Sequence, residues 1–224
     1  MKWSSVRFVG VFVAVAAWLL STSAISKRDI AFAVAFPAWA WLANTLRFRG
    51  NAADAKESLR GRRAHHSLLL TTPHPRWFKP YMQCYALMSW MAPFATLLYC
   101  RAGFAGLSMQ NVDAVFSAAG PCVFLLIAQI LMEWASGQKQ ADGTCAWASL
   151  IRIVIPIGFN AYRMLPLGEW VEVAVALASV QRSTFTAWFA FLAVCNFLMW
   201  AYNLFVFLLL QALPQYLDAA RFAT

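Results

Sequence analysis

Three sets of polar side chains stand out because each interrupts an otherwise apolar run. Gln129 and Glu133, four residues apart, share one face of a helix. Arg152, Asn160 and Arg163 form a second set, and the spacing of the two arginines brings them within about 20° on a helical wheel. Asn196 and Asn203, seven apart, again lie within about 20° of each other. In a hydrocarbon environment such groups can line a pathway for an ion or small solute. They can also hydrogen-bond across helices, each bond worth about 1 kcal/mol or less. Transport ordinarily uses several buried titratable groups and discontinuous helices in repeated halves. No internal repeat is visible, so interhelical bonding, with a Glu133–arginine pair at the interface, is the expected role.

Other chemistry is thin. Nine acidic residues in the whole chain leave few partners for general acid–base work, and no Gly-rich phosphate cradle, nucleophile elbow or H-E-x-x-H is present. Cys84, Cys100, Cys122, Cys145 and Cys195 contain no C-x-x-C pair, and their odd number argues against a disulfide framework. Four of them fall inside predicted helices, where a thiol packs as a small apolar group. His65 and His66 are adjacent and point apart, and His74 follows in the same polar loop without a cysteine or carboxylate at ligand spacing. No metal, cofactor or catalytic residue is expected. A conventional enzyme is not the expectation.

The elements that must carry these residues follow from the spacing of charge. Of 224 residues, 62% are apolar and 12% charged, against roughly half and a quarter in soluble domains. Such a chain cannot bury all its apolar surface from water. Charge-free windows of 19, 21 and 19 residues lie between Arg7 and Lys27, Lys79 and Arg101, and Asp113 and Glu133. Each is close to the 20 or so residues that cross a bilayer. Asp29 to Arg47 encloses 17, with Pro37 near the middle, and Arg182 to Asp218 encloses 35. Five spans follow. The stretch from Ser149 to Ser179 carries Arg152, Arg163, Pro156 and Pro166. A basic stripe on an apolar helix reads as an interfacial or re-entrant segment rather than a sixth span. Aromatics such as Trp39, Trp41, Trp134, Trp170 and Trp188 fall near predicted helix ends, as interfacial belts do.

Residues 1–46 therefore read as a transmembrane hairpin, 47–79 as a basic loop and 80–224 as a second bundle. The segment 1–24 admits two readings, a cleaved signal peptide or a retained signal anchor; a second apolar run begins almost at once and favours retention. The loop holds Arg47, Arg49, Lys56, Arg60, Arg62, Arg63, Arg76 and Lys79 against Asp54 and Glu57, a net of +6 out of the chain's +9. That bias puts the loop and the N-terminus on the cytosolic side and suits anionic lipid headgroups. Trp77 and Phe78 stand at its membrane end rather than among the bases, which argues against nucleic acid as partner.

Three stretches carry a family resemblance. The first is Pro121-Cys122-Val123-Phe124-Leu125-Leu126-Ile127-Ala128-Gln129, ending in Met132-Glu133. The second is Ile151-Arg152-Ile153-Val154-Ile155-Pro156 with Asn160 and Arg163 before Trp170. The third runs from Asn196 to Trp200 and through Asn203 to Leu209, then Leu213-Pro214. Together they resemble an uncharacterised multi-pass membrane family of plants and green algae, a domain of unknown function, most closely over residues 121–214. The resemblance implies several helices and lends no catalytic residue. In layout the chain is also similar to proteins of the endoplasmic reticulum and nuclear envelope that associate with membrane-shaping partners, an analogy only.

The expectation is an all-α multi-pass bundle of five to six transmembrane helices with one interfacial or re-entrant amphipathic segment. Its expected role is non-catalytic, organising the bilayer or a complex of membrane proteins in an endomembrane, the endoplasmic reticulum before the plastid. The alternative is a small transporter or channel using the polar residues named above.

Overall fold

In the computed structural model, the structure describes residues 3–48, 83–85, 87–136 and 149–214, and every regular element among them is helical. We number the helices in chain order. α1 is Trp3–Ser21 and α2 is Lys27–Phe48. α3 opens with a π-helical turn, Leu87–Met91, and continues as Ala92–Arg101. α4 is Met109–Ser136 and α5 is Ser149–Val180. α6 is Thr184–Ala201 with a π-helical continuation, Tyr202–Ala212.

The starts of two helices are written locally. Ser26 Oγ accepts from the Asp29 backbone N–H and donates to Asp29 Oδ2 at 2.6 Å, an S-x-x-D start for α2. Ser183 caps α6 and exchanges bonds reciprocally with Thr186, a capping box. In α3, Pro93 can donate no N–H, so a carbonyl one turn earlier lacks a helical donor and the chain widens into the π turn.

α4 is the centre of the bundle. It is buried almost all round from Ala118 to Ile127 and packs against α1, α2, α3 and α5. α5 and α6 lie antiparallel: Trp170 packs on Phe189 at one level, and Arg163 packs on Trp200 seven residues back along α5 and eleven onward along α6. α4 and α5 are likewise antiparallel, with Asn111 bonded to Gln181 at one end and Gln129 to Arg163 further down. Among the described residues three helical stretches, Lys27–Leu46, Met109–Ser136 and Thr184–Leu210, are by length and composition long and apolar enough to cross a membrane.

The segment expected at an interface takes a different form. Ser149–Val180 is one uninterrupted helix of 32 residues, about 48 Å long, clamped between α4 and α6. Pro156 and Pro166 lie within it without ending it, because each removes only one backbone bond from a helix supported on both flanks. Its row Ile155, Phe159, Arg163, Leu167, Trp170 and Ala174 is buried, so Arg163 faces the core and not a headgroup layer.

Most of the basic loop, from Arg49 through Lys56, Arg60, Arg62, Arg63 and Arg76 to Lys79, lies outside the described residues, as do His65, His66, His74 and Cys145. The same holds for the side chains of Arg47 and Arg152. Cys84, Cys100, Cys122 and Cys195 are free thiols.

Candidate functional site: a buried arginine cluster

α4 and α5 meet at Gln129 and Arg163. About five and a half turns of helix separate Met109 from Gln129, which is buried two turns before the end of α4 at Ser136. Arg163 Nη2 donates to Gln129 Oε1 at 2.8 Å, and Arg163 Nη1 donates to Asn160 Oδ1 at 2.8 Å. The other end of the Gln129 amide donates to Glu133 Oε1 at 2.8 Å. Gln129 thus stands between carboxylate and guanidinium, its dipole aligned with both. α6 closes the cluster: the Arg163 guanidinium lies 3.9 Å from the centroid of the Trp200 ring, whose face attracts a cation. Arg163 and Asn160 are each 0% exposed.

The third polar set stands one ring away. Tyr85 meets Trp200 edge-on at 5.0 Å, and Asn203 Nδ2 donates to the Tyr85 hydroxyl at 3.3 Å. Asn196 Nδ2 donates to its own helix at Leu192 O and to Met88 O in the π turn of α3, both at 2.9 Å. It supplies a donor to the stretch of α3 that Pro93 leaves short of one. So Gln129, Glu133, Asn160 and Arg163 form one hydrogen-bonded chain, and Asn196 and Asn203 serve the α3–α6 seam instead. Glu133 itself is exposed, at the outer end of the chain.

A second constellation escaped the sequence reading. Arg28 Nη2 pairs with Glu169 Oε1 at 2.9 Å, and Tyr162 Oη donates to Asp29 Oδ1 at 3.0 Å. Beneath them Phe32 stacks on Tyr162 with centroids 3.8 Å apart, and Phe36 and Phe159 continue the aromatic seam. Gly158 makes room for it: a Cβ there would meet Phe36 Cζ at 2.2 Å. This clasp docks α2 on α5. The seven-residue spacing of Tyr162 and Glu169 signals a shared face of α5; nothing local names α2 as its partner.

Chemically, the buried cluster distributes one positive charge over two amides and an indole. Among the described residues no three His, Cys, Asp or Glu side chains come together in a metal-binding group. No curated protein and no solved structure matches the chain. Residues 5–220 match the family described as Domain of unknown function (DUF7733), nearly the whole chain; the chain belongs to that family.

Proposed function

We propose that the chain is a non-catalytic, multi-pass integral membrane protein, a structural component of a membrane assembly rather than a transporter. One observation carries this reading: the polar side chains at depth bond one another, and the guanidinium at their centre is 0% exposed beneath Trp200. A pathway needs such groups facing a passage. A lock needs them facing each other.

All six helices cross the bilayer in this reading. The outer face of α6 exposes Trp188, Phe191, Val194, Leu198, Tyr202 and Phe205, large apolar residues at helical spacing. α2 does the same with Val34, Trp39, Trp41, Leu42 and Leu46. Alternating crossings put the N-terminus, the loop 49–82, the link 137–148 and the C-terminus on one face, cytosolic by their basic excess. Lys27, Arg28 and Glu169 then mark the opposite headgroup level. We read α1 as a retained signal anchor, a reading supported by Leu19 buried in the core and by Ile25, just after α1, beside Gly120 of α4. The basic loop meets anionic headgroups, and the compartment is an endomembrane, the endoplasmic reticulum before the plastid.

The transporter reading keeps one observation on its side: exposed Glu133 leads inward through Gln129 to Arg163. Purified protein in lipid vesicles, assayed for proton, potassium and chloride flux, separates the two. No flux above empty vesicles is expected. Glu133→Gln is expected to lower stability; intact folding with flux present in the parent and absent in the variant favours transport instead.

A further inference from the structure

The α1–α2 hairpin stops short of the helices beside it. Its turn meets α4 at Gly120, where an added Cβ would stand 3.5 Å from Ala24 Cβ and from Ile25 Cδ1. From there α4 extends back another eleven residues to Met109, about 16 Å. On α5, Arg28 of the hairpin pairs with Glu169, and that helix also extends eleven residues further, about 16 Å, to Val180. Arg101 ends α3 at this farther level, where Tyr99 stacks on Phe185 near the start of α6. A flat bilayer cannot suit both levels. With its headgroups at Arg101 and Arg182, the cluster of Lys27, Arg28, Asp29 and Glu169 would lie near the middle of a hydrocarbon core about 30 Å thick, where charge is costly.

The surface above the turn is polar to match. α2 packs against both α4 and α5. Beyond the start of α2 the same sides of those helices are exposed. Ser117 and Asp113 lie three and seven residues before Gly120, and Glu172 and Ala176 lie three and seven after Glu169. Val180 adds an apolar residue at the rim. At comparable levels, set by the packing of Trp170 on Phe189, the outer face of α6 carries Trp188 and Phe191 instead.

We propose that this notch seats the headgroup of a zwitterionic phospholipid from the far leaflet and thins the bilayer beside the hairpin. The proposal rests on reading the chain as a multi-pass membrane protein. The charges are ordered as such a headgroup is, with its phosphate nearer the hydrocarbon and its ammonium group farther out. Lys27 and Arg28 stand at the floor of the notch, and the exposed carboxylates of Glu172 and Asp113 stand above them. The Arg28 guanidinium, half exposed, donates to Glu169 through Nη2 and has further N–H groups for phosphate oxygens. Thinning on this side relieves the mismatch between the short hairpin and the long helices.

The full chain with its native cysteines replaced by alanine, in phosphatidylcholine nanodiscs, provides the test. One new cysteine is placed at Gly168→Cys in the notch, where an added Cβ meets nothing within 4 Å, or at exposed Phe191→Cys on α6. Both positions lie two residues from the Trp170–Phe189 contact, on its same side, so their depths match. A charged, water-soluble maleimide is expected to label Gly168→Cys about tenfold faster than Phe191→Cys, because thiolate forms only where water reaches. Slow labelling at both means that acyl chains cover the notch and overturns the proposal. Fast labelling at both means that this whole level lies outside the bilayer, which also overturns it. The seat itself is read by native mass spectrometry of the parent protein in mild detergent with phosphatidylcholine. Arg28→Gln is expected to lose one retained lipid, and Arg101→Gln none. Equal retention in parent and Arg28→Gln rejects the headgroup. Protein that stays monodisperse without detergent or lipid removes the membrane reading itself, whereas the failures above arise in protein that remains embedded.

Discussion

Two arginines of this chain sit among acidic and aromatic neighbours, and they are built in opposite ways. Arg28 pairs directly with Glu169 at 2.9 Å, and both side chains stay about half exposed, at 50% and 56%. Arg163 is fully buried and reaches Glu133 only through the Gln129 amide, with Asn160 and the Trp200 face as its other contacts. Where water or headgroups reach a charge, a direct ion pair forms and adds little, because solvent competes for both partners. Where they are excluded, the charge is spread over fixed dipoles and an aromatic face. Removing any one of these then leaves a group that nothing replaces.

The difference can be broken most severely at Gln129. Gln129→Leu cuts the guanidinium off from Glu133 and is expected to cost about 3 kcal/mol of stability in detergent, with reduced yield of folded protein. The same contrast sharpens in a triple variant. Arg163→Met with Asn160→Leu and Gln129→Met removes charge and acceptors together and should be more stable than Gln129→Leu alone. A triple variant less stable than the single one would show that the charge itself holds the bundle.

The clasp is expected to break next at its steric key. Gly158→Val drives a side chain into the Phe36 ring and should cost about 1–3 kcal/mol, read as loss of a designed α2–α5 crosslink. Phe36→Ala in the same background is expected to restore part of it. No rescue would mean that α2 docks through other contacts.

Asn196→Leu leaves the Met88 carbonyl without its side-chain donor and should cost about 1 kcal/mol, with faster amide exchange confined to the start of α3. The smallest effect belongs to the exposed pair. Arg28→Gln is expected to change stability by less than about 1 kcal/mol, and the change should vanish at high salt. An effect as large as that of Gln129→Leu would erase the distinction between the two sites.

Much of the helical plan was legible because charge and apolar spacing report it directly. The window from Asp113 to Glu133 lies within α4, and that from Arg7 to Lys27 overlaps α1 closely. The S-x-x-D and S-x-x-T starts of α2 and α6 are local chemistry as well. In α5 the direction of the polar face was open in the sequence for a physical reason. Two arginines on one face mark an interface only if that face looks outward, and burial against α4 and α6 reverses the meaning of Arg163. Within the candidate site, Gln129–Glu133 was visible as a helical pair. Its link to Arg163 joins residues 34 apart on different helices. Trp200 stands out in the sequence only as the end of one stretch of the family resemblance, and Tyr85 carries no signal there.

By itself the chain determined that its elements are helices, roughly where most of them run and which polar residues sit at depth, since these depend on neighbours within a few turns. The tertiary structure alone decided which amide faces which cation, that α2 lies on α5 through the gap at Gly158, and that Asn196 answers the proline-widened turn of α3. Those outcomes depend on helix rotation and pairing, and a pattern of apolar residues leaves both open because a greasy surface fits many partners equally well.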